Sequence, residues 1–229
     1  MKREMKNMLF KNKKPIIVTV HGFGKNLSHE FDPFSKYFRK RRYQVIQFDM
    51  YDINNPHDTD YKEWIKKAEN AMKEVVKEDR DIILLGFSMG GVIASYLASI
   101  FPVKMLILCA PAFQYLDLPK ITAQGVKLIK NIGKASDGNS VDSKRTKAFT
   151  EVVSNYKESI YQVDCPVLFI HGTSDEIIPV DSSRDAYKEL TVKKRMILLE
   201  GAKHRFLYDG MMEQTAFVII EQAIKENLF

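Results

Sequence analysis

The chain of 229 residues has only two cysteines and no long apolar run. Cys109 ends one predicted strand and Cys165 precedes another, so in a parallel sheet they would lie at opposite edges as free thiols, not in a disulfide framework. The lack of an apolar stretch of about 18 residues predicts no transmembrane helix. Residues 1–7 also lack the apolar core of a signal peptide, and we expect a cytoplasmic protein without stable membrane association.

A strong charge imbalance and an aromatic-rich basic motif are also missing. Lys and Arg total 35 against 29 Asp and Glu, which gives a net charge of +6 spread along the chain. The two basic clusters, residues 11–14 and 39–42, flank predicted strands, and this position favours solvated faces over a nucleic-acid site. We therefore expect no nucleic-acid partner. The sequence does not predict the oligomeric state.

Strand-like and helix-like segments alternate along most of the chain. Unbroken apolar runs bounded by turn residues are typical of strands buried on both faces, as in a parallel sheet. The predicted strands cover residues 15–20, 43–48, 82–85, 104–109, 166–171 and 195–199. The predicted helices cover residues 34–42, 61–77, 92–98, 182–190 and 211–227. This order predicts an α/β fold in one domain, residues 1–229, with a mostly parallel central sheet and helices on both faces.

The alternation breaks between Ala112 and Val163. This segment has a polar, loop-like centre at residues 133–140 and helix-compatible stretches at residues 124–132 and 143–159. It leaves the sheet from the carboxyl edge, where the functional loops of parallel sheets gather. We therefore expect residues 112–163 to form a small lid over the site.

A serine between glycines follows the third predicted strand. Gly86-Phe87-Ser88-Met89-Gly90 matches the G-x-S-x-G nucleophile elbow, a sharp turn from a buried strand into a helix. A side chain at Gly86 or Gly90 would collide with its neighbours there, whereas glycine also tolerates unusual backbone angles. Ser88 would lie at the tip, with its hydroxyl exposed beside the first amides of the helix. The alternative is that Ser88 only caps the helix, since serine is a favoured N-cap residue.

A serine nucleophile needs a base, and the base needs a carboxylate to fix its tautomer. Of five histidines, His204 is the predicted base, because it follows the last strand and fits the chain order Ser, Asp, His. The alternative interpretation is that His204 is only an exposed histidine in a loop. The other four lie in a glycine-rich turn, in early loops or at a strand end: His21, His29, His57 and His171. Asp175, directly after a buried strand, is the predicted acid. Asp117 is its main rival, and Asp181 is interpreted as a helix N-cap.

Two backbone amides are predicted to stabilise the oxyanion that forms when a serine attacks a carbonyl. One belongs to Met89, directly after the nucleophile, and the other to Phe23, in the turn His21-Gly22-Phe23-Gly24. Their side chains would be free to line an acyl pocket. The turn could instead bind a phosphate or a dinucleotide, but it lacks the full G-x-G-x-x-G and no helix directly follows it.

Segments 21–24, 86–91, 171–179 and 201–206 together resemble the motifs of the α/β-hydrolase superfamily. Within it, the resemblance is to small bacterial carboxylesterases and monoacylglycerol-lipase-like enzymes, often grouped with serine aminopeptidases. The match covers nearly the whole chain outside the expected lid. It implies the α/β-hydrolase fold, a triad of Ser88, Asp175 and His204, a lid in residues 112–163, and no cofactor or metal. Many relatives carry Arg-Gly-His-Gly after the second of these strands, where this chain has Asp49-Met50-Tyr51-Asp52.

We therefore expect a serine hydrolase that cleaves carboxylic esters through an acyl-enzyme intermediate. Its expected partner is a small-molecule ester with a short- to medium-chain acyl or aryl group. A lysophospholipase, thioesterase or peptidase of the same fold is an alternative. A different alternative is a small-molecule receptor that retains the triad and turns over slowly.

Overall fold

A computed structural model describes residues 13–114 and 143–229. Within them, six strands form one parallel sheet in the order β2-β1-β3-β4-β5-β6. The strands are β1 Ile16–Val20, β2 Gln44–Gln47, β3 Ile82–Phe87, β4 Met105–Cys109, β5 Val167–Gly172 and β6 Lys194–Leu199. All six agree with the predicted strands to within about two residues, because each is a short apolar run between turn residues.

Helices cover both faces of this sheet. Within the described residues they are α1 Asp32–Lys40, α2 Tyr61–Val76, α3 Met89–Ile100, α4 Ser143–Tyr156, α5 Asp181–Glu189 and α6 Glu213–Ile224. Two short 3₁₀ helices cover Leu27–Phe31 and Lys157–Gln162. The predicted α/β architecture is therefore confirmed. The predicted helical stretch 124–132 and the loop-like centre 133–140 lie outside the described residues.

The central strand β3 shows how the two cores are divided. Ile82 and Leu84 pack into a core shared with α2, α3, α4 and α5, whereas Ile83 and Leu85 pack into a second core with α1 and α6. Successive side chains of a strand point to opposite faces, so an unbroken apolar run serves both cores at once. All six residues of β3 are buried. The strand that leads into Ser88 is therefore held rigidly from both sides.

The start of α5 differs from the prediction. Asp181 is the first residue of the helix, and the cap position falls on Val180, whose backbone is already helical and whose side chain makes no capping bond. The Asp181 carboxylate instead accepts a hydrogen bond from Arg184 at 3.2 Å. The interpretation of Asp181 as an N-cap was wrong because the turn after Pro179 begins the helix one residue earlier.

Both cysteines are free thiols, as predicted, and both are buried. Cys109 lies at the carboxyl end of β4, and Cys165 precedes β5 at the opposite edge of the sheet. Burial raises the pKa of Cys165 to about 11 and also raises that of Cys109, so neither is a reactive thiolate near neutral pH. In the part of the chain that the structure describes, every helix is too short or too polar to cross a membrane.

Candidate active site

The turn between β3 and α3 holds Ser88 in a strained conformation. Its backbone has φ 54° and ψ −120°, a region that costs a non-glycine residue about 1–3 kcal/mol. A β-carbon on Gly86 would lie 2.4 Å from the Gly90 carbonyl oxygen, and one on Gly90 would lie 2.0 Å from that of Val20. The predicted collisions at both glycines are thus present. The Ser88 hydroxyl makes no capping bond to α3, so the capping alternative does not describe it.

Asp175 and His204 are brought together from the loops after β5 and β6. His204 Nδ1 lies 2.8 Å from Asp175 Oδ2, and the other carboxylate oxygen accepts hydrogen bonds from the amides of Ile177 and Ile178 at 2.9 and 2.8 Å. His171 Nε2 also approaches Oδ2, at 3.2 Å. Burial alone would raise the pKa of Asp175, but the two histidines outweigh it and hold that pKa below its ordinary value. Asp175 is therefore an anion at neutral pH.

The ring of His204 is oriented by its neighbours on two sides. It is only 3% exposed, and it packs against Phe87 with ring centroids 4.8 Å apart. Because a carboxylate can only accept, the hydrogen on Nδ1 belongs to the bond with Asp175, and Nε2 of the neutral ring is left with a free lone pair. His204 and Ser88, which is 7% exposed, line the same cavity of about 160 Å³.

His21 has a different role from His204. Its Nε2 accepts a hydrogen bond from the Met50 amide at 3.0 Å, so Nδ1 carries the hydrogen and donates to the Gly22 carbonyl at 2.7 Å. Burial lowers the pKa of His21 to about 4. The ring is therefore neutral and engaged at both nitrogens, and it fixes the conformation of the glycine-rich turn after β1.

Two further side chains hold this turn, and sequence reasoning missed both. The Tyr51 hydroxyl accepts from the Gly24 amide at 2.9 Å and donates to the Gly24 carbonyl at 2.8 Å. The Gly22 amide donates to Glu30 Oε1 at 2.5 Å. Tyr51 stands in the segment that departs from the motif implied by the family resemblance, and that departure was the available signal. No sequence pattern marks Glu30, since its contact depends on how the loop folds back.

The two predicted oxyanion donors come from different segments, Met89 directly after Ser88 and Phe23 in the turn after β1. Met89 is the first residue of α3, so its amide has no intrahelical partner. The Phe23 amide makes no hydrogen bond within the described residues. The Phe23 side chain lines the cavity and stacks on Phe149 of α4, with ring centroids 5.1 Å apart and planes at 12°. The Met89 side chain, in contrast, is fully buried in the apolar core shared with α2 and α4.

The remaining candidates lie elsewhere. His29 is paired with Asp32 on the surface, and His57 is exposed in the loop after β2. Glu176 accepts a hydrogen bond from the backbone amide of His204 at 3.3 Å. The imidazole ring of His204 bonds to Asp175 and not to Glu176. The rival acid Asp117 lies outside the described residues. Among the described residues, no group of three or more His, Cys, Asp and Glu side chains could hold a metal ion.

A larger cleft, of about 1140 Å³, lies at the opposite edge of the sheet. Its lining includes Asp81, Lys104 and Asp164, which precede β3, β4 and β5. None of the residues predicted for the site lines it. Ligands of open parallel sheets bind at the carboxyl ends of the strands, so the smaller Ser88 cavity is the candidate active site.

A parallel sheet of this order, with Ser88 in a positive-φ turn after β3 and the aspartate and histidine after β5 and β6, is the α/β-hydrolase fold. The monoacylglycerol lipase of Paleococcus ferrophilus shares it with a TM-score of 0.69 and 19% identity, over 93% of this chain and 96% of the lipase. Est1E of Butyrivibrio proteoclasticus, solved with ferulic acid bound, has a TM-score of 0.66 and 20% identity, over 94% of this chain and 88% of Est1E.

The chain belongs to the uncharacterised protein family UPF0227, whose model matches residues 16–219. A curated protein of Mycoplasma genitalium, provisionally named esterase/lipase 2, is 24% identical over 229 aligned positions. That alignment covers 85% of this chain and 84% of the relative. The resemblance to α/β-hydrolases that the sequence motifs indicate is thus confirmed.

Proposed function

We propose that this protein is a serine esterase that hydrolyses small carboxylic esters. One observation carries the proposal: Ser88, in a strained turn, shares a cavity with His204, whose Nδ1 is bound to the buried carboxylate of Asp175. This is the set of groups that activates a serine hydroxyl. The names of the esterase and lipase relatives support the same reaction.

In the proposed reaction, Ser88 Oγ attacks the acyl carbon while Nε2 of His204 takes its proton. Asp175 stabilises the imidazolium and keeps its orientation. The amides of Met89 and Phe23 donate to the oxyanion, a contribution worth about 10²–10³ in kcat for one such donor. The intermediate collapses as His204 gives the proton to the leaving alcohol, and water then attacks the acyl-enzyme with the same base.

The described walls of the cavity favour short or aromatic acyl groups. Phe23, Phe87, Ile177 and Tyr208 supply apolar surface around a volume of about 160 Å³, which suits a small acyl chain or a single aromatic ring. Est1E, whose structure holds ferulic acid, gives independent support for an aromatic acid in this fold. Short- to medium-chain acyl or aryl esters are therefore the proposed substrates.

The proposed lid, residues 112–163, is described only at its two ends. At its carboxyl end, Phe149 stacks on Phe23, and Arg145 donates hydrogen bonds to the carbonyls of Asp52 and Asp58. These contacts support a role for the carboxyl end of the segment as a wall beside the glycine-rich turn after β1. The wall would be anchored to the loop after β2. The proposed role of the segment is to set acyl-chain preference, and Phe149→Ala should change the kcat/KM ratio between short and longer esters.

A panel of p-nitrophenyl esters graded by acyl length tests the proposal, with an aminoacyl anilide as the peptidase control. We expect a burst of nitrophenol followed by steady turnover, and no turnover by Ser88→Ala. Faster cleavage of the anilide than of any ester would assign a peptidase. Tight binding of the esters without turnover would assign a receptor.

A further inference from the structure

Two basic side chains line the cavity that contains Ser88. Arg205 directly follows His204, and Lys25 follows the turn that carries Phe23. Both are partly buried, and within the described residues neither forms an ion pair. Elsewhere in the described residues basic side chains do form ion pairs, as Lys67 does with Asp58 at 2.7 Å. Among the described residues, the cavity thus holds two cations that lack an ion-pair partner.

Glu30 is the acidic side chain among the described lining residues, and it does little to offset this charge. Its Oε1 is used by the Gly22 amide. Burial raises its pKa to about 8, although the Gly22 bond and the charge of Arg205 act in the opposite direction. At neutral pH the carboxyl is therefore mostly protonated. The carboxylate of Asp175 faces the two histidines instead.

We propose that the Ser88 site selects esters that carry an anionic group, a carboxylate or sulfonate, which Arg205 binds with the help of Lys25. The planar guanidinium presents paired donors that match such a group, and a bond between two charged partners is stronger than a neutral one. A neutral ester would leave the partly buried Arg205 without a partner, which has a desolvation cost. The proposal rests on the proposed esterase function and names its substrate class.

Two matched pairs of esters test the proposal and locate the anion. For the acyl side, mono-p-nitrophenyl glutarate is compared with p-nitrophenyl valerate, in which a methyl group replaces the carboxylate. For the leaving group, para-acetoxybenzenesulfonate is compared with the neutral para-acetoxybenzenesulfonamide. We expect at least one anionic ester to have the higher kcat/KM of its pair. Arg205→Gln should lower that ratio about tenfold or more, and Lys25→Gln should lower it less.

Lys203→Gln is the control, because Lys203 is exposed on the same turn and does not line the cavity. It should leave the ratio unchanged. A ratio at or below one in both pairs, or a ratio that Arg205→Gln does not change, would overturn the proposal.

A binding measurement separates this proposal from the esterase function. Calorimetry with Ser88→Ala should detect binding of monoethyl glutarate and weaker binding of ethyl valerate, and adding Arg205→Gln should remove the difference. If the wild-type protein turns over no ester but this difference is found, the esterase function fails and the anion site stands. If every ester is turned over, the two ligands bind equally and neither ester pair shows a preference for the anion, the anion site fails alone.

Discussion

Asp175→Asn keeps the shape of the side chain and removes its charge, so it isolates what the carboxylate contributes. The carboxylate meets donors on both oxygens: two amides on Oδ1, and the rings of His204 and His171 on Oδ2. An asparagine has one acceptor oxygen, so its NH₂ group must face donors on one side. Either His204 loses the tautomer that catalysis needs, or the turn after Asp175 loses its amide bonds.

The expected loss in kcat is about 10³–10⁴, as for a triad whose histidine takes the wrong tautomer. That is about 4–5.5 kcal/mol of transition-state stabilisation. Stability should also fall by about 1.5–3 kcal/mol, the range for a lost bond to a charged group. The pKa of Asp175 is depressed in the folded state, so its stabilisation is present above its unfolded pKa and lost as pH falls. The variant should therefore lose less stability on acidification than the wild type.

The assays are the hydrolysis of p-nitrophenyl butyrate and urea unfolding at neutral and acidic pH. Asp181→Asn is the control, since Asp181 is exposed and, among the described residues, its carboxylate bonds to Arg184 at the start of α5. Asp117→Asn tests the rival acid and should cost much less activity. A greater loss of kcat in Asp117→Asn than in Asp175→Asn would refute the assignment of the acid.

Three further substitutions test how the site is held. Tyr51→Phe removes both bonds to Gly24, and it should lower kcat and destabilise the fold by about 1–3 kcal/mol in urea unfolding, whereas the exposed Tyr161→Phe should do neither. Gly90→Ala places a β-carbon 2.0 Å from a carbonyl oxygen, and it should lower the free energy of unfolding by about 3 kcal/mol or more. The control Gly210→Ala meets open space but keeps φ +78°, and it should lower that free energy by about 1 kcal/mol. The raised pKa of Glu30 means that its contribution to the free energy of unfolding decreases as pH rises from about 4.5 to 8. Glu30→Gln should remove this decrease in urea unfolding, so that stability falls less with rising pH than in the wild type, and an unchanged pH dependence would contradict the buried carboxyl.

Local chemistry explains why much of the fold could be predicted. Apolar runs such as Ile82–Leu85 predict a buried strand, and Gly86 and Gly90 indicate a turn in which no β-carbon fits. These features depend on residues close in sequence. The meeting of Asp175 and His204 followed from one further rule, that the loops after parallel strands gather at one edge. The catalytic roles of both residues stay predictions.

The features that were missed depend on contacts between distant segments. Tyr51 reaches Gly24 because β2 and β1 are neighbours in the sheet, and nothing in either local sequence shows which side chain will cross that gap. The Met89 side chain faces the core and not a pocket, because the rotation of α3 about its axis is set by packing. That Arg205 lines the Ser88 cavity is also visible only in the fold, because the sequence does not distinguish an arginine on the surface from one in a cavity.

The covalent labelling of Ser88 tests the central claim most directly. The intact protein is treated with an alkyl fluorophosphonate, and the adduct is located by peptide mass spectrometry. We expect one label per chain, on Ser88, with none on Ser88→Ala and a much slower reaction for His204→Ala, which lacks the base. Label on another serine with Ser88 unmodified, or no label on the folded wild-type protein, would contradict the account.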